Sequence, residues 1–136
     1  AGGKILVVAS RELPHWTRFT LITSEKVIKE RPGDLVKALV AQAKGIRYAI
    51  NPQNKGEIVR LMAKYAKREP KDVDWIYDWF LANKQFNPNG DVSAAALAWM
   101  QELNLKAGRQ KVMLPVERVA TWEFQKKMLA ELGEVK

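Results

Sequence analysis

The pattern of apolar and polar positions changes along this chain, and the change divides it into a strand-and-loop segment, 4–23, and a helical region, 24–132. Residues 4–9 (KILVVA) are short and β-branched, which predicts a buried strand. Residues 10–17 (SRELPHWT) read as a polar loop containing Pro14, and residues 19–23 (FTLIT) as a second strand. Ser24 is placed to cap a short helix over 25–30, stopped by Pro32-Gly33.

Helical spacing then takes over. Asp34 is expected to cap a helix over 35–50 whose apolar stripe is Leu35, Leu39, Ala43, Ile46 and Ile50. Asn51-Pro52 ends it. A third helix is predicted over 54–68, with Ile58, Leu61, Met62 and Tyr65 inward, and a fourth over 73–83 behind Pro70 and Asp72. Asn87-Pro88-Asn89-Gly90 is a turn signal. Ser93 caps a fifth helix over 94–105, closed by Gly108, and Pro115 opens a last one running to Leu132 before Gly133. The fold expected is therefore α/β but mainly helical, with two short strands followed by five or six helices.

Two strands alone leave open sheet edges. In the fourth helix Val73, Ile76, Tyr77 and Phe80 form one apolar face while Trp75 and Trp79 lie roughly opposite, at ~100° per residue. A helix apolar nearly all round is normally buried between other elements. Both features point to a missing partner, either the rest of a longer chain or a second copy.

Composition narrows the class. With 136 residues, 47% of them hydrophobic, the chain is one domain or part of one, and no low-complexity tract or internal repeat suggests otherwise. No apolar stretch approaches the ~18 residues of a membrane span, and the run from Ile5 to Ala9 is too short for a signal-peptide core. The absence of cysteine excludes disulfides, thiol nucleophiles and thiolate metal sites. The net charge of +8 invites a polyanionic partner, against the plainer reading of a solvated basic surface.

Catalytic patterns are absent. His15, the one histidine, stands in the loop near Arg11 and Glu12 with no recognisable nucleophile. Asn87, Asn89 and Asp91 alternate around Gly90 as in a calcium loop, but Ala96 occupies the position of the required glutamate, so a plain turn is expected. There is no glycine-rich phosphate loop and no hydrolase or metalloprotease motif. Asp72, Asp74 and Asp78 suit the start of a helix. No enzyme, metal or cofactor is expected.

Three basic clusters remain: Arg60, Lys64, Lys67, Arg68 and Lys71; Lys106, Arg109 and Lys111; and Lys126-Lys127. Aromatics do not interleave with them as a base-stacking platform needs. The third and fourth helices could imitate a helix-turn-helix, but the connection at Pro70 lacks the usual glycine. Solvated faces are the better reading, and no nucleic acid is expected. Trp75, Trp79, Trp99 and Trp122 fall on predicted helices as packing residues, whereas Trp16 lies in a loop, where binding residues concentrate.

Taken in order, GGKILVVASRELP, the strand at Leu21-Ile22-Thr23, Arg31-Pro32-Gly33, the helix from Leu35 to Pro52, and the Phe86–Val92 turn into a helix resemble the C-terminal part of periplasmic solute-binding proteins of ABC importers. The resemblance is to the nitrate/sulfonate/taurine and thiamine-precursor-like group; it spans essentially the whole chain on loose, structural motifs. It implies a two-lobed, type II periplasmic-binding fold of roughly twice this length, of which this chain supplies part of one lobe. It further implies an anionic or heterocyclic solute held in the cleft, an ABC permease as partner, and a periplasmic or extracellular location, membrane-associated through the transporter. By position, the ligand-binding residues would be His15, Trp16, Thr17, Arg18 and Thr20, with Arg18 pairing an anionic head group and Trp16 stacking on a ring or chain. A fragment of that kind would self-associate through exposed core surface. The alternatives are a small basic helical module that binds nucleic acid and a helical domain that completes its core with a protein partner.

Overall fold

The computed structural model describes residue 4, residues 6–13, 15, 16 and 20–136, with Ser10 described by its backbone alone. Among these residues there is no strand, and the expected α/β class is corrected to an all-helical one. Lys4 and residues 6–8 carry no regular structure, and Ala9, the predicted end of the first strand, opens a one-turn helix α1 (Ala9–Glu12). Residues 20–23 of the predicted second strand are also irregular. β-Propensity expresses the fit of a side chain to a half-buried pleated surface, and the described residues supply none. Leu6 is 89% exposed and Ile22 88%. With the strands goes the expected lobe of a two-lobed binding-protein fold.

Helices follow where they were expected, with shifted ends. After α2 (Glu25–Glu30), α3 (Pro32–Ile50) begins at Pro32 with Arg31 as its N-cap, ahead of the predicted start. Proline suits a first turn because its missing N–H has no intrahelical partner to lose. Asp34 is thus inside the helix, paired with Arg31 at 2.7 Å, and does not cap it. Asn51 closes α3 and accepts from the Gln53 N–H at 3.1 Å, which starts a 3-10 turn (Pro52–Asn54). In α4 (Lys55–Ala66) the helix stops where Lys67 turns left-handed (φ 53°) and Arg68 donates back to Ala63 O at 3.0 Å. That is a Schellman ending, normally built on glycine.

After α5 (Pro70–Ala82), Ser93 caps α6 (Ala94–Lys106), its hydroxyl accepting from the Ala96 N–H at 3.0 Å. The single last helix predicted behind Pro115 is two helices, α7 (Val116–Val119) and α8 (Glu123–Leu132). They are separated by extended backbone at Ala120.

The chain divides into two compact units. One comprises Ala1–Glu25 and Val92–Trp122; the other comprises Lys26–Asp91 and Glu123–Lys136. The predicted last helix breaks at the point where one unit gives way to the other.

The second unit holds the apolar clusters. Val40 and Ala43 of α3 bury Met128 of α8, flanked by Val36, Leu39, Leu129 and Leu132. Val59 and Ala63 of α4 pack against Val73 and Tyr77 of α5. The predicted α3 stripe is correct at Ala43 and half-buried at Leu35, Leu39, Ile46 and Ile50. In α5, Trp75 is 55% exposed and its indole N–H returns to Asp72 O of the same helix, so this helix is less enveloped than its composition implied.

In the first unit the buried residues among those described are Ala96 and Gln101 of α6. The side-chain amide of the buried Gln101 is occupied by the segment that follows α6. It donates to Leu114 O at 3.1 Å, accepts from Leu114 N at 2.9 Å, and accepts from Gln110 Nε2 at 2.7 Å.

Candidate functional site

Trp16 is the predicted site residue about which the first unit says most. Leu13 is the C-cap of α1 and its carbonyl accepts from the Trp16 N–H at 2.9 Å, so the indole leaves a tight turn. Its ring meets Trp99 of α6 edge-on, with centroids 6.3 Å apart and planes at 62°. This is the favoured geometry of two aromatic quadrupoles. Trp16 nevertheless remains 45% exposed, while Trp99 is half-buried. Trp99, read from its helical position as a packing residue, is therefore part of the candidate site, and the spacing of α6 alone gave no sign of it.

His15 and Thr20 are both exposed, the first in the turn and the second in the irregular segment. Thr17 and Arg18, the expected anion-pairing residue among them, lie outside the described residues. The site defined by the described residues is thus a half-exposed indole supported by a second indole, with an imidazole next in the chain. It offers an apolar, polarisable surface suited to a ring, an alkyl chain or a cation.

The basic clusters divide by what they touch. Lys55, outside them, lies 2.8 Å from Asp78 and 3.2 Å from Asp74, and 5.9 Å from the centroid of the Tyr77 ring. The Asp78 hydrogen bond leads in raising its pKa, so this charge is spent joining α4 to α5. Lys127 pairs with Glu123 and covers the Phe124 ring. By contrast, Lys64, Lys67 and Arg68 line an open depression at the end of α4, together with Glu69 and Asp72. Among the described residues no ion pair engages those three cations. No aromatic side chain lines the depression, so it offers charge without a stacking surface.

The Asn87–Gly90 segment is a turn built for the fold. Asn87 Oδ1 accepts from Asn89 N at 2.9 Å, Gly90 is left-handed (φ 64°), and Asn89 Oδ1 accepts from Val135 N at 3.0 Å. Among the described residues no group of three or more His, Asp or Glu side chains is placed to hold a metal ion, and no helix is long and apolar enough to cross a membrane.

No protein-family model, curated protein or solved structure matches this chain.

Proposed function

We propose that this protein captures a small anionic or heterocyclic solute and delivers it to an ABC-type permease outside the cytoplasmic membrane, without covalent chemistry. The observation that carries the reading is Trp16, an indole in a turn with 45% of its surface exposed and its ring packed edge-on against Trp99. An exposed aromatic that rests on a second one is suited to cover a ring or alkyl chain, because the contact lowers the entropy lost on binding.

The helical landmarks of the resemblance lend support. Arg31-Pro32 opens α3, Asn51-Pro52 closes it, and the Asn-Pro-Asn-Gly turn precedes the Ser93-capped α6. The activity is proposed without the α/β fold that the resemblance implied. Exposed Leu6, Val7, Leu21 and Ile22 are also consistent with further chain or another copy covering this region.

The test is a fluorescence titration with nitrate, an alkylsulfonate and an aminopyrimidine. A saturable change with one of them, lost in Trp16→Ala and kept in Trp75→Phe, supports solute capture. A flat response of the folded protein to all three classes rejects it. A second reading, a basic module for nucleic acid, draws on the depression at Lys64, Lys67 and Arg68. It requires binding to a duplex or single strand that falls steeply with salt.

A further inference from the structure

Helices α3, α4 and α5 of the second unit line an apolar pocket of about 130 Å³ that is partly open to solvent. Ala49, Ile58, Met62, Tyr77 and Phe80 form its walls, and Phe86, 43% exposed, stands beside them after α5. The lining is almost wholly apolar. Its one hydroxyl, on Tyr77, is already engaged, donating to Asn51 O at 3.2 Å. Among the described residues no buried side-chain polar atom lacks a partner, so nothing in the cavity asks for water. An ordered water needs two to four polar partners, which this lining lacks, and closed apolar cavities of about 150 Å³ accept benzene.

We propose that this cavity is a binding site for a single neutral, benzene-sized aromatic ring. The volume suits one such ring. Phe80 and Phe86 already meet edge-on at 5.4 Å and 72°, so an inserted ring extends an existing aromatic arrangement. Met62 adds a polarisable thioether, which packs favourably at ring edges. A charged group is excluded, since desolvation would not be offset by any free polar partner. This site is independent of Trp16, which belongs to the other unit, and it stands or falls separately from solute capture.

The probe is benzene, with the Met62 methyl resonance and the thermal midpoint as readouts. Benzene should shift that methyl saturably and raise the midpoint with the logarithm of its concentration. Phe86→Ala, which removes a half-exposed side chain and spares the buried clusters, should weaken binding at least fivefold. Ala49→Leu should fill the space and abolish it. Benzoate should leave the methyl unmoved. A methyl that stays put at saturating aqueous benzene overturns the proposal. So does unchanged affinity in Phe86→Ala, or in a folded Ala49→Leu, and so does benzoate binding as well as benzene. Should Ala49→Leu fail to fold, the wild-type shift and the Phe86→Ala comparison still decide.

Discussion

Arg47 of α3 donates from Nη2 to the carbonyl of Gly133, 2.7 Å away, just past the end of α8. The same guanidinium reaches Leu132 O at 3.1 Å, Pro88 O at 3.2 Å and Asn89 Oδ1 at 3.3 Å. A planar cation with a fork of donors thereby caps the α8 C-terminus, where the helix dipole favours positive charge, and fastens the 87–90 turn to α3. Arg47→Ala should destabilise the second unit by about 2 kcal/mol, because charge-assisted hydrogen bonds are the stronger ones but are not additive. Arg47→Lys should recover less than half, having one point of attachment in place of a fork. Urea midpoints of the three proteins check this; equal midpoints would show the guanidinium to be ornamental.

The two-way pairing of Gln101 with Leu114 makes the opposite kind of claim, about a loop. Gln101→Ala leaves the Leu114 N–H without its acceptor and should cost about 1–2 kcal/mol. The local sign is hydrogen exchange: the Leu114 amide should lose protection while that of Met128, in the other unit, keeps it.

Lys67 occupies a left-handed position (φ 53°) that the Schellman ending of α4 requires. A side chain with a Cβ is disfavoured there by about 1 kcal/mol relative to glycine. Lys67→Gly should therefore raise stability by up to about 1 kcal/mol while removing one charge from the basic depression. A denaturation midpoint that falls instead would mean that the lysine stem contributes packing.

Stability should fall in strong alkali for an identifiable reason. Hydrogen bonding to Asp78, then to Asp74, raises the Lys55 pKa above its ordinary 10.5 against the opposing effect of burial. Burial raises the Tyr77 phenol above 10.0, and Tyr48, bonded to Glu57, moves the same way. In each case the folded state holds the proton more tightly than the unfolded state. The contribution is thus complete below the ordinary values and lost as pH rises through the raised ones. Urea midpoints should be level up to about pH 10 and decline above it. Lys55→Met should make that decline shallower, and an identical decline in the variant would remove Lys55 from the explanation.

The sequence was most informative where local chemistry decides the outcome. The Asn87–Gly90 turn, the Ser93 cap and the Ala43 face of α3 are all local features, and the structure has them. The strands at 4–9 and 19–23 required partners that composition cannot supply. With Leu6 and Ile22 almost fully exposed, β-branched propensity alone did not hold the described parts of those segments in a sheet. The region behind Pro115 reads as one helix for a different reason: nothing in its periodicity marks the passage at Trp122 from one unit to the other. Trp16 is legible as a loop residue, whereas its contact with Trp99 joins residues 83 positions apart and has no local signature.

Solute capture is tested most directly by a calorimetric titration of the folded protein with the best-bound solute of the anionic and heterocyclic panel, in the wild type and in Trp16→Ala. Saturable one-to-one binding, weakened about tenfold or more by the substitution, is the expected result, since stacking on an aromatic side chain contributes about 1–3 kcal/mol. Absence of binding to every member of the panel, or an affinity indifferent to Trp16, would contradict it.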